Sequence, residues 1–422
     1  MERTKPTIGI LHYTASPVVG GVEAVIDAQT QLLSRAGYPL RVITGRGNAN
    51  AFPASTRLVT IPEMDTQHAH WLPLHQALEN GARSPEIQNR FEEAVEHLQK
   101  ALAKHVSTCD TLIIHNVFTK HFNLPLTAAL HRLIDNGLIR HSVAWCHDFS
   151  WTSPNSRSKV YPAYPWDLLR NGRQDTHYVV VSQQRQAELA GLFGWELERI
   201  QVIYNGVDPA ELLGLTPQGM ELAQRLNLLG SDLSLIMPVR ITKAKNFEYA
   251  LRLVAAIKRR GCKVKLVITG PPDPHDPENL KYYSTLLELR SELELVEEVR
   301  FVYESGPVPG QPYQISSRQV GELYRLCDML LMPSHREGFA MPVLEAGLAG
   351  LPVVSTDVPA AREIGAEDVF IFNALEMPPD DLAQYLLQRS QHDPLLRLRR
   401  RVRQNYTWDT IFARHIEPLL RN

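Results

Sequence analysis

Two carboxylates, Glu337 and Glu345, bracket the turn-forming stretch Gly338-Phe339-Ala340-Met341-Pro342. The apolar run Met329 to Met332 ahead of it reads as a buried strand. Pro342 suits the first turn of a helix carrying Val343, Leu344, Ala346 and Leu348. Strand, polar loop and helix start together aim free backbone N–H groups and the positive end of a helix dipole at a sheet edge. An anion fits there. Acids beside an anion site repel the anion, so Glu337 and Glu345 are better suited to hydroxyl groups, which donate hydrogen bonds to them. Phosphate and polyol in one ligand describe a nucleotide sugar. A pair of solvated acids around a helix cap has the same spacing.

Three other stretches could take part. Leu233 to Val239 reads as a strand and runs into Arg240-Ile241-Thr242-Lys243-Ala244-Lys245-Asn246. Arg240 and Lys245 at a sheet edge could neutralise a departing diphosphate, although a solvated basic turn has the same composition. No Asp-x-Asp motif occurs in the sequence, so such a site would depend on these cations and not on magnesium. Near the amino terminus, Gly20-Gly21-Val22-Glu23 leads into a helix, either as a tight turn or as a loop open to a ligand. The strand Ser142 to Cys146 ends in His147 and Asp148, where parallel sheets place ligand sites. His147 could hydrogen-bond a sugar hydroxyl, exchange protons near neutral pH or satisfy a buried carbonyl. Beyond it, Trp151, Tyr161, Tyr164 and Trp166 offer flat faces for a sugar ring, or pack inside a long ordered loop. This loop is the candidate acceptor site.

The Glu337 to Glu345 segment with Gly350-Leu351-Pro352-Val353-Val354-Ser355-Thr356 resembles the donor-site signature of retaining glycosyltransferases of family 4, the GT-B type. Gly20-Gly21, His147, Asn205-Gly206 and the Arg240 and Lys245 pair follow the same family in type and order, over most of the chain. The resemblance implies a retaining, metal-independent transfer of a sugar from a nucleoside diphosphate to a hydroxyl acceptor, with GDP-mannose or UDP-glucose as the commonest donors and no cofactor. In it, Gly20 and Gly21 face the donor diphosphate, and Arg240 and Lys245 offset its charge. Glu337 and the backbone of Gly338, Phe339, Ala340 and Met341 hold the sugar, Glu345 holds the ribose, and His147 lies against the transferred sugar. Glu337, His147, Arg240 and Lys245 are thus the expected catalytic set; His147, Asp148, Trp151, Tyr164 and Trp166 are the expected acceptor contacts. A retaining phosphorylase on the same scaffold, or a non-catalytic nucleotide-sugar-binding subunit, would share much of this pattern.

These residues need two sheets to position them. At 422 residues the chain exceeds one typical domain. Strands are expected at Thr7–Tyr13, Leu40–Thr44, Thr111–His115, Ser142–Cys146, His177–Ser182 and Gln201–Tyr204, with helices at Val22–Ala36 and Glu86–His105 and an irregular stretch over 62 to 86. A turn at Asn205-Gly206-Val207-Asp208 opens a linker over 206 to 220. Strands follow at Leu233–Val239, Val264–Thr269, Arg300–Tyr303, Met329–Met332, Pro352–Thr356 and Val369–Phe372, with helices at Phe247–Arg260 and Glu278–Glu298. The expected architecture is α/β and GT-B-like: two doubly wound Rossmann-like domains facing each other across a cleft. The first covers 1–208 and is completed by a last helix within 405–422; the second covers 209–404. The loop Gly270 to Asp276 is expected to rim the nucleotide pocket.

A net charge of −2 gives no field for nucleic acid, and Arg397 to Arg403 reads as a helix with a solvated face. Four scattered cysteines fit reduced thiols in a cytoplasm. Met1 to Pro6 lacks a signal peptide's apolar core, and no run approaches a membrane span, which leaves peripheral contact with a membrane open. His68, His70 and His75 lack a cysteine or paired acid to complete a metal set and read as surface residues.

Overall fold

The computed structural model describes residues 5–272 and 277–421. They form two compact units, Met1–Gly206 with Trp408–Asn422, and Val207–Thr407. The first holds seven strands: β1 (Ile8–Thr14), β2 (Leu40–Arg46), β3 (Thr56–Thr60), β4 (Thr111–His115), β5 (His141–Cys146), β6 (Thr176–Val180) and β7 (Ile200–Val202). All pair in parallel in the order β3-β2-β1-β4-β5-β6-β7. β1 is central because both its faces are apolar: Ile8, Ile10 and Leu11 are buried, and Ile8 pairs with Leu40 on one side and Thr111 on the other. Helix Gly21–Arg35 buries Val25, Ile26, Leu32 and Leu33 at helical spacing. The last segment, Trp408–Ile411, a π-type turn Phe412–Ile416 and Glu417–Arg421, packs Ile411, Ile416 and Leu420 with Ile8, Ile10 and Ile113.

The second unit holds β8 (Leu233–Met237), β9 (Val264–Ile268), β10 (Val299–Phe301), β11 (Met329–Met332), β12 (Val353–Thr356) and β13 (Phe370–Phe372). Their order is β10-β9-β8-β11-β12-β13, again all parallel. Helix Phe247–Arg259 buries nine of its residues, among them Phe247, Leu251 and Val254.

Several expectations are corrected. Residues 62 to 86 are not irregular, because Leu72–Glu79 is a helix burying Leu74, His75 and Leu78; His75 is therefore not a surface histidine. The 206 to 220 linker contains helices Pro209–Leu212 and Pro217–Arg225, and Leu222 and Ala223 join an apolar cluster of the second unit. The basic run lies on helix Pro394–Asn405, but its Arg403 is not solvated: it is 8% exposed and forms a two-pronged pair with Asp328 at 2.9 and 3.0 Å. The helix expected to reach Glu298 ends at Glu292. Of the proline-rich loop, residues 273–276 lie outside the described residues, as do 1–4 at the amino terminus. No helix among the described residues is long and apolar enough to cross a membrane.

Candidate active site

Both sheets have a switch point, where successive strands add on opposite sides and the loops diverge to leave a crevice at the carboxyl ends. In the second unit it lies between β8 and β11, and the loops that leave these strands carry Arg240, Lys245 and Glu337. Lys245 ends a short 3-10 turn, and Asn246 behind it takes the left-handed conformation, φ 52°, that starts helix Phe247–Arg259. The Lys245 Nζ donates to both Glu337 oxygens, at 2.8 and 2.7 Å, and Ser334 Oγ donates to Glu337 Oε1 at 2.6 Å. The loops are also joined by the His335 N–H, which donates to the Ala244 carbonyl at 2.9 Å. Thr356 Oγ1, from β12, donates to the Ser334 carbonyl at 2.5 Å. Glu337 is thus a clamped anion whose charge Lys245 offsets.

Ala340, at φ 60°, turns the chain into helix Met341–Ala349. Gly338 has open space where a side chain would begin, and Phe339 and Met341 are exposed. Glu345 is exposed and accepts a 2.7 Å hydrogen bond from the Tyr324 hydroxyl. Burial first, then that carboxylate, raises the Tyr324 pKa, so the phenol keeps its proton to donate. Glu345 and Tyr324 line a cavity of about 520 Å³ with Pro238, Thr269, Arg325 and Leu348. Pro238 and Thr269 follow the β8 and β9 ends. The cavity therefore opens at the carboxyl edge of the sheet.

In the first unit the switch point lies between β1 and β4. Gly20 is the extended residue before helix Gly21–Arg35, and the Glu23 carboxylate folds back beneath it; a Cβ on Gly20 would lie 2.2 Å from Glu23 Oε2. Thr14 Oγ1 donates to Glu23, and His12 Nε2 lies 3.9 Å from it. Gly20 thus packs against a carboxylate of its own chain, whereas a Cβ on Gly21 would meet nothing within 4 Å.

His147 follows β5, and its N–H donates to Asn116 Oδ1 at 2.8 Å. Its Nε2 lies 3.2 Å from His115 Nδ1, and His115 Nε2 lies 3.1 Å from Gln29 Oε1. Burial, with a smaller push from His12, lowers the His147 pKa to about 3; burial also holds His115 well below its usual value. Both rings are neutral at neutral pH, so of the roles open to His147, hydrogen bonding fits and proton exchange near pH 7 does not.

In the aromatic loop, of the two readings offered by the sequence, interior packing holds for the tryptophans. Trp166 is fully buried and Trp151 nearly so; Trp151 Nε1 donates to the Trp166 carbonyl at 3.2 Å, with Arg157 and Arg170 over its ring. These rings fill the loop's interior, which does not fit the stacking role expected of them. Tyr164 is half exposed and packs edge-on against Phe91. Asp148 is exposed and paired with Arg185 at 3.1 Å. Sequence reasoning did not single out Ser334, Tyr324, His115, Asn116 or Gln29. Their roles depend on partners brought together by folding.

Two parallel sheets with flanking helices and ligand crevices at their switch points define a GT-B type protein. Residues 19–211 match the family model described as Glycosyltransferase Family 4, and residues 221–406 the one described as Glycosyl transferases group 1. The chain belongs to the family 4 type of glycosyltransferases. It is 26% identical over 248 residues to an uncharacterized glycosyltransferase of Methanocaldococcus jannaschii, covering 55% of this chain and 57% of that one. It is 30% identical over 181 residues to the D-inositol 3-phosphate glycosyltransferase of Mycolicibacterium smegmatis, covering 43% and 37%. The chain spans less than two thirds of the length of either relative. The Anabaena protein HepE, solved in complex with UDP-glucose, aligns at 18% identity over 99% of this chain and 100% of that one, with a TM-score of 0.34.

Proposed function

We propose that this protein transfers a sugar from a nucleoside-diphosphate sugar to a hydroxyl acceptor, with retention of configuration and without a metal ion. The carrying observation is the pair of carboxylates at the second unit's switch point: Glu337 clamped by Lys245 and Ser334, and Glu345 held by Tyr324 beside the 520 Å³ cavity. Glu345 accepts hydrogen bonds from the ribose, while Glu337 and the backbone of Gly338 to Met341 hold the sugar. As the bond from the anomeric carbon to the phosphate oxygen breaks, Arg240, Lys245 and the amides at the start of helix Met341–Ala349 offset the charge gathering on the diphosphate. Lys245 has three N–H bonds, and the two that face Glu337 leave a third for phosphate. The acceptor oxygen bonds to the anomeric carbon and its proton passes to the leaving phosphate oxygen, so no protein nucleophile is needed. The neutral His147 accepts a hydrogen bond from the sugar.

The test is thermal stabilisation by UDP, GDP and ADP, each with and without EDTA, followed by transfer assays with the matching nucleotide sugar. A ligand at a hundredfold excess over its dissociation constant adds roughly 2.7 kcal/mol. One nucleotide should stabilise the protein equally with EDTA present, and the product should keep the donor's anomeric configuration by NMR. An inverted product, or turnover with sugar 1-phosphate and no nucleotide, would overturn the proposal.

A further inference from the structure

The buried chain Gln29, His115, His147 admits few proton arrangements. Each imidazole is neutral and carries one proton, and each of the two contacts between ring nitrogens and their partners needs one donor and one acceptor. The Gln29 carbonyl oxygen faces His115 Nε2 at 3.1 Å. That nitrogen must donate, so it holds the single proton of His115. His115 Nδ1 is then bare and accepts, at 3.2 Å, from His147 Nε2. The proton of His147 is thereby fixed on Nε2, and its Nδ1 is a bare acceptor. In this orientation the Gln29 Nε2 is buried with no hydrogen-bond partner among the described residues; turning the amide over would reverse every step and leave Nδ1–H as a donor, and the nitrogen-15 spectrum of His147 distinguishes the two.

Burial and neighbouring contacts hold the chain in register. Gln29 is fully buried on helix Gly21–Arg35, and His115 is fully buried at the end of β4. The His12 Nδ1 lies 2.9 Å from the His115 carbonyl, which fixes the backbone there. The rings of His115 and His147 lie edge to edge, 25° from coplanar with centroids 5.5 Å apart, as an in-plane N–H···N bond requires. His147 is 9% exposed, so its tautomer is set by its protein neighbours more than by water.

We propose that Gln29 is a positioning residue that, acting through His115, holds His147 as the Nε2–H tautomer and so presents Nδ1 to accept a hydrogen bond from a sugar hydroxyl. The substrate half of this statement rests on the function proposed above; the tautomer half does not. Gln29 touches no substrate, and its influence passes through two rings.

Nitrogen-15 NMR of the ligand-free protein, with histidine labelled and His147 assigned by a His147→Asn variant, reads the tautomer directly. The expected spectrum has a protonated Nε2 and a bare Nδ1 for His147. A protonated Nδ1 would overturn the proposal. In Gln29→Met the lock is gone, and His147 should shift toward a mixture of tautomers while transfer kcat falls by about tenfold, the loss of one net hydrogen bond, and nucleotide binding by the second unit is kept. The spectrum of the unaltered protein decides the tautomer even if Gln29→Met folds poorly. An unchanged His147 spectrum in Gln29→Met would sink the proposal. The expected spectrum in a protein that transfers no sugar from any nucleotide would uphold the tautomer lock and count against the functional reading alone.

Discussion

Glu337 and Lys245 lie 92 positions apart in sequence and meet in a contact that shields both, with side-chain exposures of 7% and 19%. Their burial is unequal, and so are the consequences of losing either. Lys245→Ala strands a buried carboxylate with Ser334 as its remaining side-chain partner among the described residues, which costs about 3–5 kcal/mol. Glu337→Gln leaves a longer cation that can turn toward water, so its stability cost should be smaller. Lys245→Met combined with Glu337→Gln should recover most of the stability lost in Lys245→Ala, because neither charge is then unpaired. Transfer should be lost in all three. Denaturant unfolding and a transfer assay separate the two effects, and undiminished transfer in Glu337→Gln would remove that residue from the site. The residue types of this site were legible in the sequence, because an acid, a cation and a helix start each announce a chemistry. Their pairing was not, since no local pattern says that Lys245 neutralises Glu337 or that Tyr324 holds Glu345.

Elements carry the site by bringing loops together at close quarters. Gly270 follows β9, and a Cβ there would lie 2.2 Å from the Val239 carbonyl oxygen and 2.6 Å from the Arg240 nitrogen. Gly270→Ala must therefore push the Arg240 loop away, at about 1–3 kcal/mol of stability. Nucleotide affinity should weaken with it; a titration showing unchanged affinity would mean that the loop does not contact the ligand. The helix Pro394–Asn405 is tied to the start of β11 and β8 by Arg403 and Arg399, which both face Asp328, and by Gln404, which donates to Asp232 at 2.6 Å. Arg403→Met leaves Asp328 with Ser234 Oγ and the Ser234 N–H as donors and Arg399 3.8 Å away, a loss of about 3 kcal/mol, the low end for breaking a buried pair. Arg401→Ala on the exposed face should change stability by less than about 0.5 kcal/mol. The contrast explains what the sequence could reveal about elements. Strands buried on both faces, such as Met329–Met332, stand out as continuous apolar runs. The edge strand Thr56–Thr60, which buries only Val59, gives no such run, and an arginine whose buried partner, Asp328, lies 75 positions away leaves no local pattern.

At the scale of the whole chain, acid sensitivity should be confined to one unit. Burial lowers the pKa of His75 and His131 to about 4 and that of His147 to about 3, and lowers His12, His115 and His121 as well. All six lie in the first unit. Unfolded histidine takes up its proton near pH 6.5. Between that value and the folded one the unfolded state binds more protons, so stability is full above about pH 6.5 and declines as pH falls. At pH 5 each of His75, His131 and His147 costs about 2 kcal/mol. Asp175, Asp357 and Asp380 have pKa values below the usual 3.8, so the loss of their pairing belongs to a more acidic window. All six tryptophans, Trp71, Trp145, Trp151, Trp166, Trp195 and Trp408, also fall in the first unit. Tryptophan fluorescence therefore reports that unit alone, while far-UV circular dichroism reports both. From pH 7 to pH 5 the fluorescence melting temperature should drop well ahead of the later part of the dichroism transition. If the two curves remain superimposed at pH 5, the units unfold as one, and the buried histidines act on the stability of the whole chain.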